Sequence, residues 1–184
     1  MTIATLFEPE HVWEWAARRR AHPGWLWVPV AVAVVGGLVV AVATEIGVRV
    51  FNTDWHYVAG YSVQPDRGWE PLLVLWLAAT GLPLAQGLIG GWLLPMYGRP
   101  RDWAGGLAVG VFGSLPIYAV APALAVLPGI LLVCVAFLVS CSWWGSGART
   151  LLGVSIGESA DHVVASIVGG SLAVTFALAV VPFA

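Results

Sequence analysis

Apolar residues run along this chain in long blocks of about 20 positions, separated by short segments that hold nearly all of the charge. A helix of that length, rising about 1.5 Å per residue, crosses a hydrocarbon core of about 30 Å. The pattern predicts five such spans, from about Trp25 to Val48, Trp69 to Leu94, Trp103 to Ala121, Pro128 to Trp144 and His162 to Val181. Pro83 with its surrounding glycines predicts a kink in the second, and Pro116 a bend in the third. Pro128 suits the first turn of the fourth, where a missing N–H costs nothing. Ser159 or Asp161 would cap the fifth.

Ahead of the first block, "PEHVWEWAARRR" (Pro9 to Arg20) opens on proline and acids and closes on arginines, the charge order that suits a helix dipole. Val12, Trp13, Trp15 and Ala16 give it an apolar side, as in helices lying along the inner headgroup layer. The alternative is a solvated leader that touches nothing. The expected fold is therefore all-α: residues 1–24 form a short N-terminal interfacial helix, and 25–184 an integral membrane bundle of five transmembrane helices.

Composition strengthens that reading. Of 184 residues, 59% are apolar and 10% charged, against roughly half and a quarter in soluble domains, and the mean hydropathy is +0.87. The first block is too long for a signal h-region and follows Glu8, Glu10 and Glu14, so it reads as a permanent span. Cys134 and Cys141 lie about 10 Å apart along one predicted helix, too far for a disulfide, and read as packing residues.

All eight cations are arginine, with a net charge of −2 and no basic run interleaved with aromatics, which excludes a nucleic-acid groove. Six of the eight (Arg18, Arg19, Arg20, Arg99, Arg101, Arg149) fall on the side of the N-terminus, and only Arg49 and Arg67 on the other. By the positive-inside rule the N-terminus is cytoplasmic and the C-terminus outside, which in a bacterial inner membrane is the periplasm.

Catalysis or conduction in lipid needs polar groups at depth, because a buried charge is costly. Glu45 falls near the outer edge, one turn from Arg49, and reads as an interfacial pair. Gln86 is placed to bond carbonyls freed by Pro83. His22 and His162 both fall at the cytoplasmic edge; they could jointly ligate a haem or a metal, but no Cys-x-x-Cys or His-x-x-x-His grouping supports such a site. The sequence has no Gly-x-Ser-x-Gly and no lysine for a P-loop, so neither an enzyme nor a cofactor is expected, apart from structural lipids.

Small residues are the stronger signal. Ala165, Gly169, Ala173 and Ala177 recur every four positions and form one smooth ridge, and Gly106 with Gly110 forms a second. Either packs the bundle internally or seats a helix of a partner, in a larger complex or a homo-oligomer. Of eleven tryptophans, Trp25, Trp27, Trp69, Trp92, Trp103, Trp143 and Trp144 fall near span ends while Trp76 lies within the second span, and Trp13, Trp25, Trp27, Trp143 and Trp144 read as membrane-interface anchors.

The order of "FEPEHVWEWAARRR", "LIGGWLLPMYGRPRDW", "GSLPIYAVAPALAVLPG" and "SWWGSGARTLLGVSIGESADHVVASIVGG" resembles the bacterial Ypt-interacting-protein (Yip) family of small five-span membrane proteins. The matching positions are Pro9 to Trp13, Gly98, Leu115-Pro116, Leu127-Pro128, Gly145 to Gly147 and Leu152 to Ser155. A tryptophan pair stands where that family has a tyrosine-rich ending, and Ser155 where it often has proline. The resemblance implies a fold more than an activity. The function expected is a non-catalytic accessory or scaffold subunit beside a larger membrane complex, respiratory or photosynthetic. The alternative is a small transporter or channel built on the Pro/Gly-broken second and third helices around Gln86.

Overall fold

The computed structural model describes residues 9–51, 69–124 and 130–180. All regular elements among them are helices: α1 (Pro9–Arg19), α2 (Trp27–Phe51), α3 (Glu70–Leu93) with a 3-10 turn at Leu94–Tyr97, α4 (Trp103–Gly113), α5 (Leu115–Leu124), α6 (Ile130–Leu152) and α7 (Ile156–Val180). Among the described residues five stretches are long and apolar enough to cross a membrane: Trp27–Gly47, Leu72–Tyr97, Trp103–Ala123, Leu131–Leu152 and Ile156–Ala179. The chain is a multi-pass helical bundle. The 52–68 connection with Arg67, the Leu127-Pro128 turn and Ala184 lie outside the described residues.

Helix α3 is the hub, packed against α2, α4 and α7. Its contact with α4 is made by backbone. A Cβ on Gly87 would lie 2.6 Å from the Gly106 carbonyl oxygen, and one on Gly110 would lie 2.7 Å from the Gly87 Cα. Gly91 meets the Asp102–Trp103 backbone in the same way. In lipid, apolar burial gives helices little reason to associate, so close backbone approach and its dispersion contacts hold such a pair together.

Pro83 does not break α3, which is continuous from Glu70 to Leu93. The proline cannot donate to the carbonyl four residues back, at Ala79. The Tyr118 hydroxyl donates to that oxygen from α5 at 3.4 Å, the role expected of Gln86. Gln86 itself is buried with its backbone against Gly170 of α7.

The third span breaks at Ser114, between α4 and α5. Here the chain tightens: the Ser114 N–H donates to Val111 O, leaving the Gly110 carbonyl without its helical donor. Two side chains replace it, the Ser114 hydroxyl at 2.8 Å and the Trp144 indole N–H at 3.1 Å. Gly113 makes room for that indole, since a Cβ there would overlap its ring.

Two boundaries differ from the sequence reading. Helix α6 runs through Gly145-Ser146-Gly147 to Leu152, so Trp143 and Trp144 sit within it, about 13 Å short of its end. The small residues do not stop it because Gly147 is covered by the Trp13 ring. It stops at Gly153, whose φ of +67° favours glycine. Helix α7 then begins at Ile156, about two turns earlier than expected. The cap is a Ser155–Glu158 box: the Glu158 N–H donates to the Ser155 hydroxyl oxygen at 3.4 Å, and the Ser155 N–H to the Glu158 carboxylate at 3.2 Å. Ser159 and Asp161 lie inside the helix.

Candidate functional site

The links around Arg20, Asp102 and Gly153 meet at one end of the bundle. Arg20 carries the junction, its guanidinium donating to the Asp102 carboxylate at 3.0 Å and to the Leu151 carbonyl at 3.2 Å. Asp102 also caps α4, accepting from the Gly105 N–H at 2.8 Å. The carboxylate thus starts α4 and holds Arg20 at the end of α1, while Arg20 in turn reaches the end of α6, which draws Arg18, Arg19, Arg99, Arg101 and Arg149 to the same end.

Beneath this junction lies the hydrophobic core. Trp13 and Ala16 of α1 are fully buried and belong to the same core as Phe112, Trp143, Trp144 and Ala148. The rings meet edge to face: Trp13 with Trp143 at 6.4 Å between centroids, Trp15 with Trp25 at 5.4 Å, and Trp25 and Phe112 tilted at 5.9 Å. Helix α1 is therefore clamped onto α4 and α6, and a leader that touches nothing is excluded.

This corrects the anchor assignment. Trp13, Trp25, Trp143 and Trp144 are buried inside the protein, and of the five tryptophans named as anchors only Trp27 is exposed, at 74%. Trp69, Trp92 and Trp103 are exposed near helix ends. The sequence carried a signal for the buried set that proximity to span ends concealed. Trp143 and Gly147 are four apart on α6, and Trp13 and Ala16 three apart on α1, so each pair shares a helix face and one can seat the other.

The two small-residue ridges have different fates. Gly106 and Gly110 are spent inside the bundle on α3. On α7 the inward face is His162, Val163, Ser166 and Gly170. Gly169 touches Ile89 of α3, but Ala165, Ala173 and Ala177 point outward, beside exposed Val164, Val168, Leu172 and Phe176. That outward stripe is the candidate docking surface.

The histidines have separate surroundings. His22 is exposed in the α1–α2 turn. His162 is buried, its Nε2 3.0 Å from the Gly90 carbonyl and its ring edge-on to Tyr97. Because a carbonyl only accepts, this contact requires the proton on Nε2, leaving Nδ1 as an acceptor without a protein partner. His162 thus clasps α7 to α3, and no contact described brings His22 to it. Among the described residues no group of three or more metal-ligating side chains gathers. No family model, curated protein or solved structure matches this chain.

Proposed function

We propose that this protein is a non-catalytic accessory subunit of a bacterial inner membrane, with its N-terminus in the cytoplasm, and that it packs beside a larger respiratory or photosynthetic membrane complex. The observation that carries this reading is the outward stripe Ala165, Ala173 and Ala177 on α7, which is exposed among the described residues. A ridge of small residues lets a neighbouring helix approach to backbone contact, and lipid tails gain nothing comparable from it. The orientation rests on the arginines gathered at one end. A Yip-like identity is part of the proposal, supported by the break in the third span beside Leu115-Pro116.

The test is copurification from native membranes in mild detergent. A fixed partner should accompany the wild type and be lost from Ala165→Phe/Ala173→Phe, whose substitutions face outward and should leave the helical content unchanged. A protein that leaves the membrane alone while neighbouring complexes stay intact, or a partner retained by the double variant, would remove the stripe from consideration. The transporter reading has less support: α3 is unbroken at Pro83 and Gln86 is closed in against Gly170.

A further inference from the structure

The junction at Arg20 has a consequence for the arginines around it. Arg18 and Arg19 immediately precede Arg20, Arg101 adjoins Asp102, and Arg149 lies half a turn before Leu151, so the Arg20 contacts with Asp102 and Leu151 draw three cationic segments together. All four of these side chains are exposed. The one carboxylate at the centre is already taken, by the Arg20 guanidinium and the Gly105 N–H. Arg149 donates through Nε to the Gly145 carbonyl of its own helix at 3.2 Å, and among the described residues its terminal nitrogens meet no acceptor.

Of the acids near this end, Glu14 lies one turn before Arg18 on the same face of α1, at the i, i+4 spacing of a helix ion pair, and Glu10 lies a further turn back. Glu158 is held by Ser155 and lies in the neighbourhood of Arg99, and Asp161 sits on α7 beside His162, in the neighbourhood of Tyr97. Depth is set by the exposed apolar side chains Trp27, Met96 and Trp103, which ring the same helix ends as an interfacial belt does. Exposed guanidinium groups at headgroup level meet phosphate first, and their planar forks bind it in two-point fashion.

We propose that this end is a binding surface for the phosphate groups of anionic phospholipids, held by Arg18, Arg19, Arg101 and Arg149. The proposal does not rest on the α7 docking surface. It is tested on the full chain in nanodiscs of equimolar phosphatidylcholine and phosphatidylglycerol, by counting lipids retained through detergent extraction with native mass spectrometry. Phosphatidylglycerol should be enriched about tenfold, in a salt-sensitive way, as expected for several cations acting at a charged surface. Arg18→Gln/Arg19→Gln/Arg101→Gln/Arg149→Gln should lose that preference. If the quadruple variant does not fold, Arg101→Gln/Arg149→Gln should lose part of it, with lysine at the same two positions restoring some. Equal retention of both lipids, or a preference unchanged in the glutamine variants, overturns the proposal. So does stabilisation by inorganic phosphate or by an acidic peptide that matches phosphatidylglycerol at equal charge, since either places the recognition outside the bilayer.

Discussion

The contact between α3 and α4 and the contact of α1 with α4 and α6 are both buried, yet they hold by opposite means. In the first, glycines remove the side chains and bring backbone onto backbone. In the second, four tryptophans and a phenylalanine fill the space with rings whose centroids lie 5.4 to 6.5 Å apart. Both solve one problem: helices in lipid need dense contact, because burial alone does not favour a protein neighbour over a lipid tail. The glycine contact has no slack, since any added atom meets main chain, whereas the aromatic contact can lose an atom and leave a gap.

The largest effect should therefore come from Gly106→Leu, whose Cβ would overlap the Gly87 carbonyl and lie 2.7 Å from the Gly91 nitrogen. A loss of about 4 kcal/mol or more, or failure to fold, is expected in equilibrium unfolding by sodium dodecyl sulfate in mixed micelles. A variant within 1 kcal/mol of wild type, by the scale of ordinary surface changes, would mean that the two backbones do not touch. Trp13→Ala removes the ring seated on Gly147 and should cost about 3 kcal/mol as a cavity. Limited proteolysis should then cut within α1 while α2 to α7 stay protected, and an α1 as resistant as before would deny the clamp.

Smaller effects divide the single bonds. Trp144→Phe keeps most of the ring but withdraws one of the two donors to the Gly110 carbonyl, leaving Ser114 as the other. About 1 kcal/mol is expected, with a double Trp144→Phe/Ser114→Ala variant losing more than the sum of its parts. Arg20→Gln removes a partly exposed ion pair and should cost about 0.5 kcal/mol at low salt and less at high salt. If its effect exceeded that of Trp13→Ala, the electrostatic junction and not the aromatic cluster would be what holds α1.

Spans were legible because their signal is one of length and composition, and lipid demands both. Glycines at Gly106 and Gly110 were legible as a contact surface, though not as facing Gly87 and Gly91. The tryptophans misled. An aromatic near a span end has the same sequence signature whether it faces headgroups or a groove in the protein, and only the path of α1 distinguishes them. The ends of α6 and the start of α7 were misplaced for a related reason: a Gly-Ser-Gly run reads as a link until a ring from elsewhere covers it.

By itself the sequence determined that this chain is a bundle of apolar helices with its arginines biased to one side, because uncharged blocks of about 20 residues match the length at which a helix, with every backbone bond made within itself, crosses lipid. The tertiary structure decided which small residues are consumed within and which face outward, that Tyr118 answers the carbonyl stranded by Pro83, and that Arg20 brings the segments of Arg18, Arg19, Arg101 and Arg149 together beside one carboxylate. Those outcomes depend on distances between helices. Helical periodicity fixes which residues share a face, but it leaves open what that face will meet.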